Sequence, residues 1–293
     1  SKPNPSADMD SQGTIYRPPS EARSILLQVT TGCSHNKCSF CGMYKGQRFT
    51  LKDEATVLAD IDYAARHFPH AKRLFLCDGD ALILPQARLV DLLTRIREQL
   101  PRVERVGIYA NTKNLRAKSV DDLKTLRALG LGIVYMGLES GDDATLATMH
   151  KGADAAEMIA AGRKVREAGL PLSLTVLLGI AGEERSLVHA EATGRVLTAI
   201  DPEYVGALSL MLDPGTSLYA DWQAGRFVPP GPLAILRERR AMIAATTLSH
   251  GLFHANHASN YLPVRARLPK DKNRTLALLD RALAGEVDLR PEF

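Results

Sequence analysis

Ser24-Ile25-Leu26-Leu27-Gln28-Val29-Thr30 runs without a break into Thr31-Gly32-Cys33-Ser34-His35-Asn36-Lys37-Cys38-Ser39-Phe40-Cys41-Gly42. The first stretch is short and mostly apolar, the signature of a strand covered on both faces. The second carries three cysteines within nine residues, spaced C-x4-C-x2-C. A strand that opens into a donor-rich loop is the start of a β-then-α unit.

The pattern repeats along the chain. An amphipathic stretch at 53–67 follows the loop. Apolar runs at 73–76 (RLFL), 106–110 (VGIYA), 133–138 (IVYMGL), 172–178 (LSLTVLL) and 204–211 (YVGALSLM) come next. Helical patterns follow them at 87–99, 120–128, 142–150 with 155–168, 187–199 and 232–250. Six such units imply parallel strands joined by right-handed crossovers, fewer than the eight of a closed barrel. The expected class is α/β, a partial (β/α)6 TIM-like barrel with a C-terminal extension. Residues 1–23, rich in Pro and Ser, are expected to form a flexible N-terminal segment, trimmed at its start because it lacks an initiator Met. The barrel is expected over 24–250. A C-terminal loop and helix over 251–293 should close it, with one short extended piece, a His/Asn-rich loop and a helix near 275–284. Ligands of parallel sheets sit at the carboxyl ends of the strands, so the polar residues after each run are the site candidates.

The chain has 293 residues, 45% hydrophobic and 24% charged, enough to bury a core without disulfide staples. No apolar run reaches the ~18–20 residues that span a bilayer, and no signal-peptide pattern opens the chain. A cytoplasmic protein without membrane contact is expected. The net charge of +4 is scattered, which tolerates an anionic substrate or nucleic acid without arguing for either.

Three thiolates are the soft donors that an iron–sulfur cluster needs. A 4Fe–4S cluster normally takes four. A supply of three leaves one iron open to chelate a small molecule, as an open zinc position does. The same cysteines with His35 or a distant His suit zinc. That second reading is a zinc-stabilised RNA- or phosphate-binding protein without radical chemistry. Structural zinc usually nails together modules that lack a core, whereas this chain has ample core. His35 reads as an exposed loop histidine or a ligand. Cys77 reads as a buried thiol or as a fourth ligand that would close the open iron.

Other strand ends offer further candidates. Asp78-Gly79-Asp80 suits an ammonium group or a helix cap and turn. The Asn111 amide suits a cofactor or substrate, or a cap. Gly137-Leu138-Glu139-Ser140-Gly141 precedes Leu146, Met149, Lys151 and Gly152. A carboxylate such as Glu139 can accept ribose hydroxyl protons. The glycines of Leu178-Gly179-Ile180-Ala181-Gly182 let backbone approach a ligand closely. Asp213-Pro214-Gly215-Thr216 is sufficiently explained as a turn. In the tail, His254, Asn256, His257 and Asn260 would read a substrate if they fold across the barrel mouth, or form a well-bonded loop.

The cysteine loop and the GLESG…L…M-x-KG stretch together resemble the radical S-adenosylmethionine enzymes. The likeness is to the branch with the oxygen-independent coproporphyrinogen oxidases, the Elongator catalytic subunit and the methylthiotransferases. The commonest family spacing is C-x3-C-x2-C, and this loop carries one residue more. The resemblance implies an oxygen-sensitive 4Fe–4S cluster on Cys33, Cys38 and Cys41. Its open iron would chelate the amino and carboxylate groups of S-adenosylmethionine. It implies Phe40, Gly179 and Gly182 near the adenine, and Asp78, Gly79 and Asp80 near the methionine amino group. Glu139 and Ser140 would meet the ribose or the methionine end. The implied reaction is reductive cleavage to a 5′-deoxyadenosyl radical that abstracts hydrogen from an unidentified small-molecule substrate, with a flavodoxin or ferredoxin as electron donor. Only Cys77 remains for an auxiliary cluster, so chemistries that need one are not expected, and a tetrapyrrole substrate follows by analogy alone.

Overall fold

All four residues of β1 (Ile25–Gln28) are buried, as a strand covered on both faces must be. The structure is a computed structural model that describes residues 9, 16–44, 46–255 and 262–289. After β1, the short β2 (Thr30–Thr31) pairs antiparallel with β3 (Thr50–Leu51) and closes the cysteine loop at its base. Then follow α1 (Glu54–His67), β4 (Arg73–Cys77), α2 (Gln86–Gln99), β5 (Arg105–Ala110), α3 (Thr112–Arg116), α4 (Val120–Ala128) and β6 (Leu131–Glu139). Next come α5 (Asp143–Thr148), α6 (Ala155–Glu167), β7 (Leu172–Leu178), α7 (Ser186–Ile200), β8 (Tyr204–Ser209), α8 (Ser217–Gln223) and α9 (Pro232–Ala244). The chain ends in β9 (Gly251–His254), β10 (Arg265–Leu268) and α10 (Lys272–Leu283). The class is α/β with mostly parallel strands, and every apolar run named from the sequence is a strand.

The chain divides into two compact units. The first comprises the residues up to Asn36, Met43–Met136 and Lys164–Pro171. In it β1, β4, β5 and the start of β6 pair in parallel, with Ile25 opposite Leu74, Leu74 opposite Val106 and Val106 opposite Leu131. Leu26, Phe75, Cys77, Ile133 and Tyr135 form a core cluster, with Tyr109 packed against it. The Phe75 ring meets Tyr109 and Tyr135 edge-on at 5.0 and 5.8 Å, the arrangement that ring quadrupoles favour. A 3-10 turn at Pro19–Glu21 buries the Glu21 carboxylate, which receives Arg105 Nη2 at 2.8 Å, the Tyr135 hydroxyl at 2.7 Å and the Ser24 hydroxyl.

The second unit comprises Lys37–Gly42, Gly137–Arg163 and Leu172 onward. In it β7 and β8 pair in parallel, with Ser173 opposite Tyr204. β9 continues in parallel beside β8, with Tyr204 opposite Leu252, and β10 returns antiparallel to β9.

Three details differ from the sequence expectations. The helix expected over 232–250 ends at Ala244. There Thr246 Oγ1 bonds back to the Met242 carbonyl at 2.6 Å and Lys272 Nζ takes the Thr246 carbonyl at 2.8 Å, satisfying the groups that helix continuation would use. The tail holds two strands, not one extended piece, because β9 finds a partner in β8 far back in the chain. α3 and α8 are too short to leave a periodic signal. Among the described residues no helix is long and apolar enough to cross a membrane.

Candidate functional site

The first half of the cysteine loop, up to Asn36, is held by the turn after β4. Asp78 sits at φ 66°, a left-handed conformation that aims its buried side chain back at β1. Its Oδ2 accepts from Gln28 Nε2 at 3.0 Å and from the Gly32 amide at 2.8 Å. The Gly79 amide donates to the Gly32 carbonyl at 3.2 Å. Burial pushes the Asp78 carboxyl up, against the pull of those hydrogen bonds. Asp80 accepts from the Ser34 amide at 2.5 Å and from Asn111 Nδ2 at 2.6 Å. Asn111 also caps α3 by accepting from the Asn114 amide at 2.8 Å.

Gly79 is where the backbone meets a ligand cysteine candidate. A Cβ there would stand 3.2 Å from Cys33 Cβ, 3.4 Å from its sulfur and 3.5 Å from the Tyr44 ring. Tyr44 is buried, and its hydroxyl has no hydrogen-bond partner among the described residues. Cys77 is buried and donates to the Phe75 carbonyl at 3.5 Å, while burial pushes its thiol up, so it stays an inert thiol.

The second half of the loop, Lys37–Gly42, is held by other elements. The Ser39 amide donates to the Met149 carbonyl at 3.0 Å, its hydroxyl to the Met149 sulfur at 3.2 Å, and its carbonyl accepts from the Leu218 amide at 3.1 Å. Phe40 packs on a cluster of Met149, Leu177, Ile180 and Leu218. The turn after β8 backs the third cysteine's neighbour: a Cβ on Gly42 would lie 2.0 Å from Asp213 Oδ2. That turn is braced by Thr216, whose hydroxyl donates to the Asp213 carbonyl at 2.7 Å and accepts from the Tyr219 amide at 3.2 Å to cap α8.

The turn after β6 is strained at Glu139, which has φ 63°. Its side chain folds back over Gly137, where a Cβ would sit 2.6 Å from Oε1. Lys151 Nζ lies 3.8 Å from the same oxygen. Burial raises the Glu139 carboxyl, and Lys151 draws it down. Phe40, Glu139, Ser140, Leu146, Met149 and Ile180 line one narrow crevice, with Lys151 at its edge. Asp142 makes a two-point bond to Arg185, with both distances 2.9 Å.

Behind that crevice lies a buried polar line. Ser140 Oγ is 2.6 Å from His189 Nδ1, and His189 Nε2 is 3.7 Å from Glu238 Oε2. Glu238 accepts from the Gly179 amide at 2.7 Å and from the Ser186 hydroxyl at 2.8 Å. Gly179 and Gly182, at φ 87° and 72°, form the turn after β7, closed by a 3.1 Å bond from the Gly182 amide to the Gly179 carbonyl. Burial pushes Glu238 up to about 7 and His189 down to about 4.

The structure therefore gathers Phe40, Glu139 and Ser140 at one crevice, beside the Gly179–Gly182 turn, and places Asp78, Gly79, Asp80 and Asn111 around Cys33. None of the cysteines is in a disulfide. Among the described residues, no three His, Cys, Asp or Glu side chains are gathered closely enough to hold a metal ion. His254 ends β9 opposite Arg265, and burial followed by Arg265 and Arg267 lowers its pKa. Asn256, His257 and Asn260 lie outside the described residues. Sequence reasoning missed Ser39, Arg185, His189 and Glu238, single residues whose partners are distant in the chain and leave no local spacing to read.

Residues 27–190, more than half of the chain, match the family profile of the Radical SAM superfamily. The heme chaperone HemW of Bacillus subtilis (strain 168) is 24% identical over 197 residues, which are 66% of this chain and 50% of HemW. The 4′-phospho-dehydrooxetanocin synthase of Priestia megaterium is 21% identical over 222 residues, 68% of this chain and 29% of that protein. The chain thus spans about half, or less, of the length of these curated relatives. Coproporphyrinogen III oxidase (HemN) from Escherichia coli shares the fold, with a TM-score of 0.54 at 18% identity over 76% of this chain and 54% of that one. Because the family match takes in the cysteine loop together with the turns after β6 and β7, the chain belongs to the radical SAM superfamily.

Proposed function

We propose that this chain is an enzyme that holds a 4Fe–4S cluster at Cys33, Cys38 and Cys41 and cleaves S-adenosylmethionine there to begin radical chemistry on a small-molecule substrate. Superfamily membership implies the cluster and the S-adenosylmethionine. The observation that carries the reading is that Phe40 of the cysteine loop packs against the same closed cleft as Glu139 and Ser140, joining two motifs far apart in sequence.

The donor chemistry fits. Three thiols lie on one loop, partly exposed, while Cys77 is withdrawn into the core. When bound, the cluster supplies the electron that breaks the S–C5′ bond, giving methionine and a 5′-deoxyadenosyl radical.

The chain's own residues bind and orient. Glu139, with Lys151 Nζ 3.8 Å from its carboxylate, accepts ribose hydroxyl protons, and Ser140 stands beside it. Phe40, Met149 and Ile180 give an apolar wall for the adenine, and the Gly179–Gly182 turn exposes backbone to it. Asp78 Oδ1 is buried without a partner among the described residues, an acceptor suited to the methionine ammonium. Asp80 and Asn111 act through the loop that carries Cys33. His254, Asn256, His257 and Asn260, in the extension over 251–293, are assigned to the substrate side. A flavodoxin or ferredoxin supplies electrons, and a reducing cytoplasm suits four cysteines without a disulfide.

The test is anaerobic reconstitution with iron and sulfide. About four irons per chain and 5′-deoxyadenosine formed with S-adenosylmethionine and dithionite are the expected results. Replacing Cys33, Cys38 or Cys41 by Ala should abolish both; cleavage that survives any one replacement sinks the assignment.

A further inference from the structure

We infer that His189 and Glu238 are positioning residues for S-adenosylmethionine: the buried line Ser140, His189, Glu238, Gly179 sets the turns after β6 and β7 against each other. The inference rests on the S-adenosylmethionine reading above, because those two turns are the ones assigned to the nucleoside.

Hydrogen bonds hold both ends of the line, and between them His189 Nε2 approaches Glu238. The Asp142 amide donates to Ser140 Oγ at 3.0 Å, and Ser140 Oγ and His189 Nδ1 share a hydrogen bond at 2.6 Å. The other ring nitrogen, Nε2, lies 3.7 Å from Glu238 Oε2. Glu238 in turn spends its oxygens on the Gly179 amide and on Ser186 at the start of α7. α7 reads the turn after β6 at two more points. The Gly141 amide donates to Thr193 Oγ1 at 2.9 Å, and Arg185 grips Asp142. Gly141 is pressed so closely on α7 that a Cβ would stand 2.5 Å from the Ala192 carbonyl oxygen. One helix therefore registers the ribose turn, and α9 registers the adenine turn through Glu238.

A buried titratable pair is weak evidence for stability, since apolar residues of like volume often do as well. A line that ends on two proposed ligand-binding turns has a reason to persist in orienting them. Its charge surroundings are few. His189 is faced by Glu238 from α9, by the Leu177 backbone and by Asp142, itself paired with Arg185; Glu238 is faced by His189, Ser186 and the Gly179 amide.

The test uses the full chain, reconstituted anaerobically, in wild-type, His189→Ala, Glu238→Ala and Glu238→Gln forms. Titration calorimetry measures S-adenosylmethionine affinity, and hydrogen exchange of the cluster-free chain follows peptides covering 137–142 and 178–183. Both Ala variants should retain iron and sulfide, bind S-adenosylmethionine about tenfold more weakly and lose amide protection in those peptides. Glu238→Gln, which still offers an acceptor to Gly179, should recover most of the affinity. Unchanged affinity and protection in both Ala variants would overturn the inference. If the wild type fills its cluster but does not bind S-adenosylmethionine, the function reading fails instead. The exchange data then still decide whether the line holds the two turns.

Discussion

Gly42 lies directly against Asp213: a methyl group at position 42 would stand 2.0 Å from the Asp213 carboxylate oxygen. The residue after the third cysteine thus stands against the exposed carboxylate of the turn after β8, which must rotate away if a side chain is added at position 42. Gly42→Ala should turn the Asp213 side chain away and loosen its 3.0 Å bond from the Gly215 amide, at a cost of about 0.5–1.5 kcal/mol. Iron and sulfide content after reconstitution should fall with it. Adding Asp213→Ala should restore much of that content, measured by metal analysis alongside thermal unfolding. A double variant as poor as the single one would show that the contact is not what matters.

Asp80 and Asn111 are coupled through a 2.6 Å bond, and Asp80 also holds the Ser34 amide. Asp80→Asn sets two amide groups against each other and should cost about 1–3 kcal/mol in unfolding free energy. The exchanged pair, Asp80→Asn with Asn111→Asp, restores donor against acceptor and keeps a good cap for α3. A double-mutant cycle by denaturant unfolding should therefore show favourable coupling, and additive losses would contradict it.

Glu139 is raised by burial and drawn down by Lys151. Its ionised form is the one that accepts ribose hydroxyls, so S-adenosylmethionine binding should weaken as pH falls through its raised pKa. Lys151→Met removes the counter-charge and should move that acid limb to higher pH. Glu139→Gln should remove the limb. Calorimetric titration across pH gives the profile, and superimposable curves for wild type and Lys151→Met would refute the pairing.

Glu238 and His189 should pull stability in opposite directions with pH. Glu238 is pushed up to about 7 by burial, so the stability tied to its neutral form is lost as pH rises from the ordinary glutamate range through about 7. Glu238→Gln should then be more stable than wild type at about pH 8, by up to about 3 kcal/mol. His189 is pushed down to about 4 by burial, so its contribution is present above the ordinary histidine range and is lost as pH falls toward about 4. His189→Gln should gain on wild type at about pH 5. Melting temperatures across pH read both, and parallel curves for wild type and the variants would exclude this linkage.

Most strands and long helices were legible because their signals are local. The run over 172–178 is β7 and the pattern over 120–128 is α4, residue for residue. Apolar spacing within a turn or a pleat carries that information. The cysteine loop and the GLESG stretch were legible for the same reason. Where an element depended on a distant partner, the reading fell short. β9 exists as a strand because β8 offers it an edge, and α9 stops early because Thr246 and Lys272 take over its end.

The α/β order, the soft donors and the polar strand ends could be read along the chain, since each is a property of neighbours in sequence. That Ser39 is tied to Met149, that Gly42 meets Asp213, and that His189 stands between Ser140 and Glu238 emerged only in the folded chain. Those relations join residues tens to hundreds of positions apart. Their energies come from burial and hydrogen-bond geometry, which exist only once the chain has folded.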